Sequence, residues 1–119
     1  MSKYRNRKTI RGGIQYDSVK ESRRHAELLQ LERAGEISEL ARQVKYILIP
    51  AQYEPDIIGP KGGTKRGKLI EREVAYIADF VYMQDGKLVV EDTKGVRTKD
   101  YIIKRKLMLF VHKIRIKEV

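Results

Sequence analysis

A chain of 119 residues is long enough for one domain with its own core and too short for two. No apolar run reaches membrane-spanning length, and with no cysteine and only two histidines there is no disulfide framework or unaided structural zinc site, so any metal would need oxygen ligands. Lysine and arginine number 26 against 16 acids, a formal charge of +10 that attracts polyanions, of which nucleic acid is the commonest.

The first 15 residues carry Lys3, Arg5, Arg7, Lys8 and Arg11 with no acid and a Gly12-Gly13 break, which predicts a flexible basic arm able to order on phosphate. This start is polar and lacks an apolar h-region, so a cytoplasmic protein is expected rather than a secreted one. Residues 16–119 are then a single domain. Ser18 can cap a helix with Glu21 three residues on. Ala26, Leu28, Leu29, Leu31 and Ala34 follow at helical spacing, and Gly35 ends it. QVKYILIP, opening at Gln43 and closed by Pro50, reads as a strand.

Residues 59–68, GPKGGTKRGK, are a supple basic loop or hairpin tip. Gly62 to Lys68 has the spacing of a phosphate-binding P-loop, but Leu69 stands where Mg²⁺ ligation needs Ser or Thr, and a strand follows where a helix should begin. A nucleotide site is therefore rejected, and Lys61, Lys65, Arg66 and Lys68 are assigned instead to sequence-independent contact with a sugar-phosphate backbone. EVAYIADFVYM, apolar on both faces, predicts a strand covered on each side. Asp85-Gly86 is a two-residue turn signal, and KLVVED returns. Thr98 caps a helix over about 99–111 with Ile103, Leu107, Phe110 and Val111 as its inward stripe, and HKIRIKEV closes as an edge strand with Ile114 and Ile116 on one face. The expected class is α/β (α+β), a mixed central sheet flanked by helices.

Counting outward from the turn pairs Met83 with Leu88, Val81 with Val90 and Asp79 with Asp92. Directly opposed side chains have Cβ atoms about 4.5–5.5 Å apart, where like charges destabilise, and an unpaired carboxylate on a buried strand costs several kcal/mol. Lys94 can neutralise one charge; a divalent cation would satisfy both with the oxygen ligands that Mg²⁺ or Mn²⁺ prefers, freeing the lysine for chemistry. Three other arrangements stay open: the pair shares a proton, it lies at an exposed sheet end, or a longer turn sets Glu91 opposite Asp79.

Asp79 followed by Asp92-Thr93-Lys94 resembles the PD-(D/E)XK nuclease signature, with Ala78 in place of the usual proline. YDSVKES at 16–22 resembles the first helix of that fold. From YDSVKE through YIADFVY and VVEDTKG to IKEV, the chain is similar to a small nuclease family of phages and prophages, and more distantly to RecU-type Holliday junction resolvases. The resemblance implies a restriction-endonuclease-like core in the order α-β-β-β-α-β and a metal, Mg²⁺ or Mn²⁺, held by Asp79, Asp92 and the Thr93 carbonyl. It puts Lys94 beside the attacking water, with Glu21 as a further ligand and Gln43 near the site. The implied protein is a homodimeric endonuclease acting on branched DNA in a bacterial host or phage-infected cell. His25 and His112 are assigned to packing or surface. The rivals are a non-catalytic basic nucleic-acid-binding module and an RNA-binding or ribosome-associated protein; the latter leaves the aspartate pair unexplained.

Overall fold

A computed structural model describes residues 9–119. A hairpin of β1 (Thr9–Arg11) and β2 (Ile14–Tyr16) leads into α1 (Val19–Arg33) and the long strand β3 (Ser38–Ile49). Four short strands follow, β4 (Gln52–Tyr53), β5 (Ile57–Ile58), β6 (Thr64–Lys65) and β7 (Leu69–Glu71). Then come β8 (Val74–Gln84), β9 (Lys87–Asp92), α2 (Lys99–His112) and β10 (Lys117–Glu118).

The central sheet has the order β10-β9-β8-β3, with β3 and β9 antiparallel to β8 and β10 parallel to β9. This is an α+β fold with a mixed sheet and two helices, and apart from the hairpin and the short strands its elements run α-β-β-β-α-β. Asp85 and Gly86 both take positive φ, 51° and 75°, the two-residue turn whose twist suits a hairpin. The ladder that leaves it pairs Gln84 with Lys87, Val81 with Val90 and Phe80 with Glu91, so the longer turn is ruled out.

Two clusters form the core. Leu48, Tyr76, Ala78, Val81 and Val90 pack with Tyr101 and Met108 of α2 and with Ile116. Leu28 of α1 packs with Ile37, Phe80 and Tyr82. Each fully buried Val, Leu, Phe or Met side chain among them contributes about 1.5–3 kcal/mol. Strand alternation alone does not give this partition. Ala78 and Val81, of opposite parity along β8, lie in the same cluster, while Phe80 and Tyr82, of the same parity as Ala78, lie in the other. On β3, Leu40 packs on the α1 side but Val44, Tyr46 and Leu48 on the α2 side. The alternation therefore reverses around Asp79 on one strand and around Gln43 on the other. Gln43 lies mid-strand at φ 53°, the left-handed conformation that breaks a regular pleat.

Several expectations need correction. Residues 9–15, read as the end of a flexible arm, form with Tyr16 a hairpin against α1, with Gly12 and Gly13 as its turn. Helix α1 starts from Ser18 as foreseen, and Leu28 of the expected series is buried with Leu31 packed beside it, but Ala26 and Ala34 are exposed and the rest of the buried face is polar: Glu21, Ser22 and His25. Helix α2 turns Tyr101 and Met108 inward with Leu107 beside them, whereas Ile103 and Phe110 are 58% and 74% exposed and Val111 is exposed too. Strand β8 is covered on both faces only in part, since Ile77 is 53% exposed.

The basic segment is the tip of an arm in which β4 pairs with β7 and β5 with β6. At its neck a Cβ on Gly67 would lie 2.2 Å from the Glu54 carbonyl oxygen, so only glycine fits the crossing. Side chains from both helices reach the backbone of β3: Glu32 accepts from the Leu40 N–H at 3.0 Å, and His112 Nε2 donates to the Ile47 carbonyl at 2.7 Å.

Candidate active site

The β8–β9 ladder ends at Phe80–Glu91, one step short of the expected Asp79–Asp92 pair, and Asp79 Oδ2 instead accepts from the Thr93 backbone N–H at 2.9 Å and the Thr93 hydroxyl at 2.8 Å. Asp79 is half-buried; Asp92 is the deeply buried member, 1% exposed, so it does not lie at an exposed sheet end. The Tyr76 hydroxyl donates to Asp92 Oδ2 at 2.5 Å. Asp92 Oδ1 is buried with no hydrogen-bond partner. Burial pushes the Asp92 carboxyl up to about 6; the Tyr76 hydroxyl and Lys94 oppose the rise and the charge of Asp79 adds to it. A buried oxygen without a partner, beside a second carboxylate, is the unsatisfied state that a hard cation relieves.

Lys94 is exposed just past the pair, its Nζ 5.3 Å from the centre of the Tyr101 ring on the α2 side. The Tyr101 hydroxyl in turn donates to Glu118 at 2.8 Å, and Arg97 reaches the same carboxylate.

Glu21 and Gln43 meet on the α1 side. Glu21 Oε1 accepts from Gln43 Nε2 and from an Arg42 guanidinium nitrogen, both at 3.1 Å, and Oε2 accepts from the Asp17 N–H at 3.2 Å. The return bond of the expected capping box thus lands on Asp17, one residue before the cap, while Ser18 accepts from the Glu21 N–H. Burial raises the Glu21 carboxyl above its ordinary value, and the charge of Asp79 raises it further, which sets the two as electrostatic neighbours. Among the described residues no three Asp, Glu, His or Cys side chains are grouped so as to hold a metal ion. In this arrangement both oxygens of Glu21 are occupied by protein donors.

The basic residues do not join this cluster. Lys61, Lys65, Arg66 and Lys68 sit on the arm, whose strands pair only with each other, and Arg66 stacks over the Tyr53 ring at 4.5 Å. Arg11 is exposed on β1, and Lys3, Arg5, Arg7 and Lys8 lie outside the described residues. His25 is buried, sharing a 2.6 Å hydrogen bond with the Tyr16 hydroxyl and stacked on Phe80.

Sequence reasoning missed Tyr76 and the pair Arg24–Glu91. Arg24 Nε and one terminal guanidinium nitrogen bind the two oxygens of Glu91 at 2.9 and 2.7 Å, and the Tyr82 hydroxyl also bonds this carboxylate. The hairpin register held a signal for part of this, because Phe80 faces Glu91 and Tyr82 is therefore its diagonal neighbour. Nothing local pointed to Arg24, which lies 67 residues away.

Fold and site together define an α+β domain whose central hairpin ends in a buried aspartate, a half-buried one next to it, and an exposed lysine. The chain belongs to the family described as Protein of unknown function (DUF1064), whose model matches residues 1–118. No curated protein and no solved structure matches it.

Proposed function

We propose that the protein is a metal-dependent DNA endonuclease with a restriction-endonuclease-like core. The observation that carries the reading is the unpartnered, buried Oδ1 of Asp92 next to Asp79. The donor set fits Mg²⁺ or Mn²⁺, which prefer carboxylate and carbonyl oxygen: Asp79, Asp92 and the Thr93 carbonyl would hold the ion, with Glu21 reaching it only by giving up a present partner. Such an ion, when bound, supplies Lewis-acid neutralisation of charge on a phosphodiester.

The chain's own residues do the rest. Lys94, exposed past the pair, orients the attacking water against the phosphorus; the water's proton passes to solvent as its oxygen forms the new P–O bond and the bond to the leaving oxygen breaks. The Thr93 N–H and hydroxyl fix one oxygen of Asp79, and Tyr76 fixes one of Asp92. The basic arm tip and the basic residues near the start of the chain would hold DNA backbone, and a homodimer would present two such sites to a branched substrate.

The test is incubation of the protein with four-way junction and linear duplex DNA, in Mg²⁺, Mn²⁺ or EDTA. Cleavage that needs metal and is lost in Asp92→Asn, while DNA binding persists, supports the nuclease. A gel shift with no cleavage under any metal would replace it with a non-catalytic binding module.

A further inference from the structure

Tyr76 lies three residues before Asp79 on β8, 3% exposed, in the cluster that α2 covers. Its ring stands 6.4 Å from that of Tyr101, and its cross-strand partner is Tyr46. Packed in this way the phenol has little freedom to leave, and its hydroxyl donates to Asp92 Oδ2 at 2.5 Å, the short distance of a charge-assisted O–H···O bond. Asp92 is thereby divided into one oxygen committed to protein and one, Oδ1, that is buried and unpartnered.

We infer that Tyr76 selects which divalent ion the aspartate pair takes, by holding Oδ2 of Asp92 and leaving Oδ1 as its single oxygen for a cation. This rests on the acidic pair being a cation site. The chemistry follows from coordination preference. Mg²⁺ and Mn²⁺ suit sites with few protein oxygens, and Mg²⁺ demands a near-ideal octahedron, whereas Ca²⁺ takes 6–8 oxygens and often uses both from one carboxylate. A carboxylate restricted to one oxygen disfavours the larger ion. Tyr76 is on this reading a positioning residue that acts through Asp92 and touches neither metal nor substrate.

The experiment measures Mn²⁺ and Ca²⁺ binding to the full chain by titration calorimetry, without DNA, in the parent and in Tyr76→Phe. The Ca²⁺-to-Mn²⁺ affinity ratio is expected to rise about tenfold in the variant, the scale on which partners of metal ligands act. A second measurement needs only the parent protein: infrared difference spectra of ¹³C-aspartate-labelled chain with Mn²⁺, in which the band that disappears in Asp92→Asn should show the wide carboxylate splitting of one-oxygen ligation. An unchanged ratio in a folded Tyr76→Phe, or a narrow two-oxygen splitting in the parent, overturns the role of Tyr76 while leaving the cation site intact. Absence of Mn²⁺ binding in the parent overturns the cation site and this inference with it.

Discussion

Arg24 of α1 holds both carboxylate oxygens of Glu91, a residue of β9 with no exposed surface. Burial pushes the Glu91 carboxyl up, but the Arg24 guanidinium and the Tyr82 hydroxyl outweigh it and hold the group below its ordinary value. Arg24→Ala leaves a buried carboxylate without its counter-charge and should cost about 3–5 kcal/mol in urea unfolding. The sign follows from the lowered value: this stabilisation is present above the unfolded carboxyl range and fades as pH falls through the folded one, so the cost of Arg24→Ala should shrink in acid. Equal costs at pH 7 and pH 3 would contradict this account.

Asp92 has the opposite sign. With its carboxyl raised to about 6 from 3.8, chiefly by burial, the folded state binds a proton more tightly than the unfolded chain. Stability of the metal-free protein therefore falls as pH rises between these values and is flat above them. Asp92→Asn, whose amide carbonyl can still accept from Tyr76, should be more stable than the parent at pH 7 by about 2–3 kcal/mol, with the difference gone below about pH 4. Thermal unfolding in EDTA across this range checks it, and comparing variant with parent cancels the contrary slope of Glu91.

Lys94 is exposed and lies outside the core, so its removal should leave the fold untouched. Lys94→Ala is expected to lower the single-turnover cleavage rate about 100-fold, the scale of a misplaced reactant, with an unchanged circular dichroism spectrum and DNA affinity. Full cleavage by this variant would remove Lys94 from the mechanism.

The arm can be tested separately. Alanine at Lys65, Arg66 and Lys68 together should weaken binding alike for duplexes of any sequence and flatten the dependence of affinity on salt, by about one unit of slope for each phosphate no longer neutralised. Fluorescence anisotropy at several salt concentrations measures both. An unaltered slope would assign those charges to solvent alone.

The two faces of α2 can be told apart by stability. Met108→Ala should cost about 2–5 kcal/mol, since Met108 is fully buried, whereas Phe110→Ser, at an exposed position, should stay within about 0.5 kcal/mol of the parent. A large loss at Phe110 would mean that the helix is turned the other way.

How far each feature could be read from sequence follows from the range of the interaction behind it. The hairpin was legible because Asp85-Gly86 dictates a turn, and the turn dictates a register that delivers Asp79 to the end of β9. Both helix starts were legible because Ser18 and Thr98 each bond an N–H three residues on. The buried face of α1 was hidden because its polar residues are satisfied by distant partners: Glu21 by Arg42 and Gln43, His25 by Tyr16. The orientation of α2 misled because Ile103 and Phe110 suit an inward stripe in isolation, and only the sheet decides that Tyr101 and Met108 fill it. Gln43 reads locally as a strand start, yet the strand begins at Ser38 and runs through it, since pairing with β8 overrides the weak local propensity of that stretch.

The outermost strand of the sheet, β3, is twelve residues long and would ordinarily invite another chain to add itself. The Glu32 carboxylate and the His112 ring already occupy one backbone donor and one acceptor along it, and Glu39 and Gln43 interrupt its pleat with left-handed turns of the backbone. An approaching peptide meets a kinked and partly spoken-for rail. The protein should accordingly resist fibril growth from this side, even at the concentrations that its many exposed isoleucines would otherwise make hazardous.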